Sequence, residues 1–221
     1  EIVIAKVSRV DPETKDAIVE IGKAQEPLFR SEQIPNETLL PGMLIKVYIA
    51  GVADAKEGRR GPRVTISRTH PGLVKRLFES EVPEIYDGTV EIKAVSREAG
   101  SRTKIAVYSA DENVDAVGAC IGPRGARVGK IVDMLYGEKI DIVKYSEDPK
   151  EFIAASLAPA DVVSVTIDEN AEKSCRVIVP DLQLSLAIGN KGQNARLAAK
   201  LTGWKIDIKP ESGKTDPSVE L

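Results

Sequence analysis

The chain repeats a short glycine-containing segment, and this internal duplication restricts the folds that it can adopt. Ile121–Gly125 reads Ile-Gly-Pro-Arg-Gly, and Ile188–Gly192 reads Ile-Gly-Asn-Lys-Gly. A second match follows each glycine segment, because Gly137–Ile142 corresponds to Gly203–Ile208 and both end in Lys-Ile-Asp-Ile. The two matches keep their order and nearly the same separation, so chance explains them poorly. We therefore expect one structural unit to occur twice.

Local patterns around the two segments predict the same elements in the same order. In the first copy these are a helix at 73–78, strands at 91–98 and 104–108, a helix at 114–121, the glycine loop, a helix at 128–135 and a strand at 139–145. In the second copy they are a helix that starts at Asp148-Pro149, strands at 162–168 and 175–179, a helix at 181–188, the loop, a helix at 193–202 and a strand at 205–209.

The segment before the second loop gives conflicting signals. Leu182, Leu184, Leu186 and Ile188 alternate with small or polar residues, and this periodicity alone favours a strand. The repeat places the same segment opposite a predicted helix. We give the repeat more weight and expect a helix.

Upstream of about residue 70 the pattern changes. Short apolar runs at 2–10, 17–21, 44–49 and 64–67 are separated by turn-forming residues. Several short strands at this spacing are typical of a small all-β barrel. The predicted fold class is therefore α+β with several domains: a five-stranded barrel followed by two copies of the helical unit.

The charge distribution decides which ligands are plausible. The 221 residues carry a formal net charge of −3, which argues against non-specific binding of polyanions. Acidic residues are absent from 118–132 and from 182–206, although both windows contain several Lys and Arg residues. Two local cationic windows remain compatible with phosphate binding at those places.

A GxxG loop between two helices is suited to contact with a phosphodiester backbone. Glycine has no Cβ atom to hold the backbone away, and the second helix presents free N–H groups to anions. Such a module clamps about four nucleotides of single-stranded RNA. The predicted RNA-binding residues are Ile121, Gly122, Pro123, Arg124, Gly125, Arg127 and Lys130 in the first copy, and Ile188, Gly189, Asn190, Lys191, Gly192, Gln193, Asn194 and Arg196 in the second.

Weaker signals have simpler explanations. A single GxxG match has little value, and only the duplication in one context makes it informative. The basic turn with Lys56, Arg59, Arg60 and Arg63 is at least as well explained as a solvated hairpin tip. Phe29 is compatible with base stacking beside Arg30 and equally with filling the barrel. His70, Cys120 and Cys175 lack metal-ligand spacing, so we expect structural roles and no metal or cofactor.

The units resemble prokaryotic-type (type II) KH domains, and the barrel resembles the OB-type RNA-binding domain first described in a ribosomal protein. A barrel followed by two KH domains resembles the NusA family of bacterial transcription factors. The resemblance covers nearly the whole chain. It is carried most specifically by 29–35 (Phe-Arg-Ser-Glu-Gln-Ile-Pro), 67–71 (Ser-Arg-Thr-His-Pro), 81–85 (Glu-Val-Pro-Glu-Ile), 184–189 (Leu-Ser-Leu-Ala-Ile-Gly) and 192–198 (Gly-Gln-Asn-Ala-Arg-Leu-Ala).

The resemblance implies domains at 1–70 (barrel), 71–146 (first KH) and 147–210 (second KH), with a disordered tail at 211–221. It implies a cytoplasmic, non-membrane factor that modulates pausing, termination and antitermination. The implied partners are the nascent transcript, RNA polymerase and other Nus-type factors. The barrel begins almost at Glu1, so we expect the family's N-terminal polymerase-binding domain to be missing from this fragment.

Three other functions are compatible with parts of this sequence. A phosphorolytic ribonuclease fragment also combines KH and barrel modules, but there a single KH precedes the barrel. A general RNA-binding module is the second alternative. A protein-interaction scaffold with degenerate glycine loops is the third, and the retained glycines and loop cations argue against it. No nucleophile and base pair, P-loop or metal-ligand set is recognisable in the sequence, so we do not expect an enzyme.

Overall fold

The computed structural model describes residues 1–54 and 61–213 of the chain. It consists of a β-barrel followed by two units, each of which combines helices with a three-stranded sheet. Within the described ranges, no helix combines the length and apolar character needed to cross a membrane. The predicted α+β fold class, a five-stranded barrel before two KH-type units, is confirmed.

The barrel strands are all antiparallel, in the order β3-β2-β1-β4-β5. The edge strands β3 and β5 lie against each other, which nearly closes the barrel. Alternate side chains face the core, as the period of two for a strand requires. The strands are β1 (Ile2–Val10), β2 (Ala17–Ile21), β3 (Ala24–Leu28), β4 (Leu44–Ala53) and β5 (Arg63–Ser67).

Strand β3 is the barrel element that no apolar run indicated. Its sequence is Ala-Gln-Glu-Pro-Leu, so it lacks the alternation of apolar residues seen in β1 and β2. Leu28 nevertheless fills the barrel core, and Pro27 lies on an edge strand of the sheet, where a missing N–H is tolerated. Pairing with β2 therefore defines this strand more than its own composition does.

The first unit (residues 71–146) has the predicted order of elements. Its sheet runs β6-β7-β8, with β6 antiparallel and β8 parallel to the central strand. The helices pack on one side of this sheet around a continuous apolar core. The elements are α1 (Pro71–Glu81), α2 (Pro83–Tyr86), β6 (Glu91–Glu98), β7 (Arg102–Tyr108), α3 (Ala116–Ile121), α4 (Ala126–Met134) and β8 (Lys139–Lys144).

The second unit (residues 147–210) repeats this topology. Its sheet runs β9-β10-β11, again with one antiparallel and one parallel pair around the central strand. The backbone therefore confirms the duplication that the sequence indicated. The elements are α5 (Pro149–Ser156), β9 (Ser164–Ile167), β10 (Ser174–Val179), α6 (Leu184–Ile188), α7 (Gln193–Thr202) and β11 (Lys205–Pro210).

The disputed segment before the second loop is helical. A 3-10 turn at Asp181–Gln183 leads into α6, in which Leu184 and Ala187 face the core three residues apart. The first copy differs slightly from its prediction, because α3 begins at Ala116 and Val114 lies outside it. Asp115 caps that helix by accepting a hydrogen bond from the Gly118 N–H at 3.0 Å.

His70, the residue that precedes α1, joins the barrel to the first unit. The Nδ1 atom of His70 accepts a hydrogen bond from the Gly72 N–H at 2.9 Å, and its ring stacks on Tyr48 of β4 with centroids 4.6 Å apart. Two residues earlier in the chain, Arg68 forms a buried ion pair with Glu37, in which Nη2 lies 2.7 Å from Oε2. The structural role predicted for His70 is confirmed, since it both caps a helix and fixes the barrel against it.

The two KH-type units pack directly against each other. Lys104 of β7 is fully buried, and its Nζ atom donates to Asp141 at 2.9 Å and to the carbonyl oxygen of Ala158 at 2.7 Å. Phe152 and Leu201 of the second unit pack on Ala106 and Val143 of the first. Polar and apolar contacts therefore both join the two units. Most of the predicted disordered tail, residues 214–221, lies outside the described ranges.

Candidate nucleic-acid interface

The two glycine loops have the same backbone conformation. In each loop the first glycine, the basic residue and the last glycine have positive φ angles: 75°, 53° and 75° in the first loop, 80°, 52° and 72° in the second. A left-handed conformation costs a non-glycine residue about 1–2 kcal/mol. Arg124 and Lys191 therefore adopt the same unfavourable backbone conformation, one in each loop. Such conformations are common at functional sites.

The first glycine of each loop lies in close contact with the residue five positions later. A Cβ atom on Gly122 would lie 2.6 Å from the Cγ of Arg127, and one on Gly189 would lie 2.7 Å from the backbone nitrogen of Asn194. Around the last glycine of the first loop, Gly125, the corresponding position is open space. The first glycine is thus required for close packing inside the loop, whereas Gly125 leaves the loop surface accessible to the backbone of a bound molecule.

Replacing the first glycines with alanine should destabilise the two units unequally. Both changes place a Cβ at positive φ with ψ near 170°, a region that is essentially restricted to glycine, which costs about 1–3 kcal/mol. Gly189→Ala also meets the backbone of α7, so we expect a loss of about 4 kcal/mol or more, against about 2–3 kcal/mol for Gly122→Ala, where the Cβ and Cγ atoms of Arg127 must shift but no backbone atom does. Denaturant unfolding measures both changes.

Gly129 provides the control for this comparison. It lies within α4, has no positive φ and has nothing within 4 Å of an added Cβ. Gly129→Ala should therefore stabilise the chain by about 0.5–1 kcal/mol through helix propensity. Equal effects of the two loop substitutions would contradict the contact with α7 as their cause.

Both cations of α4, the helix that follows the first loop, form ion pairs within the first unit. Arg127 donates to Glu84 at 2.8 Å and to the carbonyl oxygen of Ala119 at 2.7 Å. Lys130 pairs with Glu81 of α1 at 2.8 Å. These contacts neutralise two of the cations that the sequence predicted to bind RNA.

The residues after the second loop are occupied in a similar way. Asn194 is 2% exposed, and its side-chain nitrogen donates to the carbonyl oxygens of Leu157 and Ala187. Gln193 and Arg196 both bond to Glu98 of the first unit. Asn194 is therefore placed as a support beneath the loop, and direct RNA contact by its side chain does not fit its burial.

The remaining predicted residues lie at or beside the loop surfaces. Ile121, Pro123, Arg124, Asn190 and Lys191 are exposed, whereas Gly122, Gly125, Ile188, Gly189 and Gly192 are partly exposed. Among the described residues, neither Arg124 nor Lys191 has an ion pair. Each loop thus presents one exposed basic side chain that no ion pair holds among the described residues.

An open cavity that the sequence patterns did not indicate lies at the start of α3, at the opposite end of this helix from the first loop. Its volume is about 710 Å³. Two tyrosines near strand ends, Tyr108 and Tyr145, line it together with Val114 and Val117. Carboxylates also line it, namely Asp111, Glu112, Asp115, Glu147 and Glu151.

The weaker candidates have mixed outcomes. Phe29 is 47% exposed and lies outside the barrel core, so it does not fill the barrel. Lys56, Arg59 and Arg60 lie outside the described residues, and Arg63 begins β5 with an exposed side chain. Cys120 and Cys175 are buried and form no disulfide, and the Cys175 thiol donates a hydrogen bond to the carbonyl oxygen of Lys205 at 3.5 Å. Burial raises the pKa of the Cys120 thiol to about 12, so it is unreactive at neutral pH.

Two protein-family models match the chain in tandem. The model described as a NusA-like first KH domain matches residues 68–145, and the model described as a NusA-like second KH domain matches residues 149–216. Each match contains one of the two glycine loops. Together they account for both repeated units and leave the barrel outside.

Curated relatives extend the similarity across the barrel. Each is named transcription termination/antitermination protein NusA. The protein from Halalkalibacterium halodurans is 61% identical over 88% of this chain and 50% of its own length. The protein from Bacillus subtilis is 57% identical over 96% of this chain and 56% of its own length. The protein from Thermus thermophilus is 48% identical over 93% of this chain and 52% of its own length. The chain thus spans about half the length of these relatives, and it belongs to the NusA family.

Proposed function

We propose that the chain binds single-stranded RNA through its two glycine loops, as the RNA-holding part of a transcription termination and antitermination factor. One observation carries this proposal: two loops whose backbone dihedral angles agree within a few degrees each present an exposed cation at the head of a helix. Backbone N–H groups at a helix start and a full positive charge both favour phosphate. Because the two units pack on each other, one strand can engage both loops, at about four nucleotides per unit.

The charge balance favours a selective site over a general polyanion surface. Acidic side chains pair with Arg127, Lys130 and Arg196, so these cations contribute little free positive charge. The exposed loop residues Arg124 and Lys191 remain for phosphate. The predicted RNA contacts of Ile121 and Ile188 fit this arrangement, because each lies immediately before its loop and offers an apolar surface to a base.

The cellular role is inferred from the family. The relatives are named as transcription termination and antitermination proteins, so the RNA is a nascent transcript and the setting is the bacterial cytoplasm. The protein partners that this role implies are RNA polymerase and other Nus-type factors. The two tandem KH matches favour this function over a phosphorolytic ribonuclease fragment.

A titration with single-stranded RNA at several salt concentrations tests the proposal. Single-stranded RNA of about twelve nucleotides should bind, and duplex RNA of the same sequence should bind at least tenfold more weakly, since its bases are not available to a groove. Two phosphate contacts predict that log K falls against log salt with a slope of about −1.4. Equal affinity for the duplex, or an affinity that does not depend on salt, would refute phosphate clamping by these loops.

A further inference from the structure

The turn between β6 and β7 touches all three parts of the molecule. On the barrel side, Asn36 donates to the carbonyl oxygen of Gly100 at 2.9 Å. Within the first unit, the Gly100 N–H donates to Glu138 at 2.7 Å. On the other side, Glu98 accepts hydrogen bonds from the second unit. This turn therefore links the barrel to the helix that follows the second glycine loop.

Arg196 connects Glu98 to the loop itself. Its Nε atom donates to Glu98 at 2.6 Å, and its Nη1 atom donates to the carbonyl oxygen of Lys191 at 3.0 Å. Lys191 is the loop residue with φ of 52°. One guanidinium thus joins a carboxylate of the first unit to the strained residue of the second loop.

Gln193 strengthens the same contact. Its side-chain nitrogen lies 2.6 Å from a Glu98 oxygen and 2.7 Å from the Ser101 hydroxyl. Gln193 is the first residue of α7, directly after the loop. Glu98 therefore holds the loop from two sides, through the start of α7 and through the Lys191 carbonyl.

Among the described residues, the first loop has no such support from the other unit. Ala126 and Gly129 stand where the second copy has Gln193 and Arg196, and neither has a side chain that can donate a hydrogen bond. The cation behind the first loop, Arg127, bonds to Glu84 and to the carbonyl oxygen of Ala119, both in its own unit. The two loops share a conformation, but the second receives part of its support from the first unit. The duplicated units are thus not equivalent in how their loops are held.

Glu98 also places a negative charge close to the second loop. Partial burial raises the pKa of the Glu98 carboxyl, but hydrogen bonds from Gln193 and Arg196 outweigh this effect, so the pKa lies below its ordinary value. Glu98 is therefore ionised at neutral pH. A carboxylate near a phosphate site weakens binding by Coulomb repulsion, whereas a carboxylate that orders the loop strengthens it. The two effects have opposite signs in a binding measurement.

We propose that Glu98 is a positioning residue for RNA binding by the second unit: through Arg196 and Gln193 it holds the second glycine loop in its binding conformation. This inference rests on the proposed RNA-binding function of that loop. It also assigns Arg196 to the support of the loop, where the sequence pattern had assigned it to the RNA. RNA affinity at the second loop then depends on how the two units dock.

Glu98→Ala tests the sign of the effect. We expect about a five- to tenfold loss of affinity for a twelve-nucleotide single-stranded RNA, although a negative charge has been removed. Glu91→Ala removes the same charge from the same strand, where the carboxylate pairs only with Lys93 among the described residues, and should leave affinity unchanged or slightly raised. Tighter binding by Glu98→Ala would overturn the proposal.

A double-mutant cycle with Arg196→Ala separates positioning from a general loss of stability. Without Arg196, Glu98 is linked to the second loop only through Gln193, so adding Glu98→Ala should lower affinity by clearly less than it does in the parent chain. A loss as large as in the parent chain would overturn the proposed route through Arg196. Thermal unfolding of each variant checks that both units remain folded, with Glu98→Gln as a milder second variant.

The outcomes also distinguish this inference from the proposed function. If aspartate substitutions in both loops abolish RNA binding while Glu98→Ala binds as tightly as the parent chain, only the positioning role fails. If the loop substitutions leave binding unchanged, the RNA site itself is wrong and Glu98 has no loop to position.

Discussion

Replacing the two central residues of both glycine loops with Asp-Asp is expected to lower the affinity for single-stranded RNA by at least about 100-fold. The changes fall on Pro123-Arg124 and Asn190-Lys191. They remove the two exposed loop cations and place four carboxylates at the heads of α4 and α7, where phosphate is expected to bind. The measurement is fluorescence anisotropy with a labelled RNA of about twelve nucleotides.

The fold should tolerate these substitutions. The four side chains are exposed, so no core contact is lost. Arg124 and Lys191 have φ angles of 53° and 52°, and Asp adopts the left-handed conformation more readily than most residues. Thermal unfolding should therefore change little, and weaker binding would report on the loop chemistry.

Lys173→Asp is a matched control for the loop variant. Lys173 is an exposed lysine at positive φ, 46°, in the turn between β9 and β10, outside either loop. It tests the effect of reversing a charge at the same backbone conformation. A comparable loss of affinity in Lys173→Asp would show that general charge governs binding, and unchanged affinity in the loop variant would show that RNA binds elsewhere.

The sequence predicted the elements and the loops because those depend on local chemistry. Asp148 caps α5 by accepting a hydrogen bond from the Lys150 N–H, as the Asp-Pro pair indicated. The repeat correctly overruled the alternation of leucines before the second loop, since Leu184 and Ala187 lie on one buried helical face. In both cases the deciding interactions lie within a few residues of each other along the chain.

Contacts between distant segments could not be predicted in the same way. Lys104 lies in a strand, and nothing in its neighbourhood indicates that the second unit buries its ammonium group against Ala158. Arg196 and Lys200 have the spacing of a cationic helix face, yet Glu98, nearly a hundred positions earlier, occupies Arg196. Periodicity shows which face a side chain is on, but it does not show what covers that face.

Glu138 shows where the two copies of the repeat diverge. The matched segments read Gly-Glu-Lys-Ile-Asp-Ile and Gly-Trp-Lys-Ile-Asp-Ile, so Glu138 corresponds to Trp204. Trp204 packs against the core of its own unit. Glu138 is fully buried and accepts hydrogen bonds from Arg97, from the Gly100 N–H and from the Thr103 hydroxyl. The first copy thus has a buried charge where the second has an aromatic ring.

Glu138→Gln is expected to destabilise the chain by about 3 kcal/mol, which corresponds to a fall of about 6–12 °C in the melting midpoint. The glutamine keeps the shape of the side chain but leaves the buried Arg97 cation without its counter-charge. Burial already lowers the pKa of Arg97 below its ordinary value, although the Glu138 charge opposes this effect. Thermal and denaturant unfolding both measure the loss.

A second variant separates the charge from the packing. Removing both charges with Arg97→Met and Glu138→Leu should recover part of the stability, because no buried ion is then left unpaired. The recovery should be incomplete, since the Gly100 N–H and the Thr103 hydroxyl still lose their acceptor. Glu172→Gln, at an exposed turn position, should have no measurable effect. If Glu138→Gln were equally harmless, the buried pair would contribute nothing to the first unit. The turn that links the barrel to the second loop would then depend on other contacts.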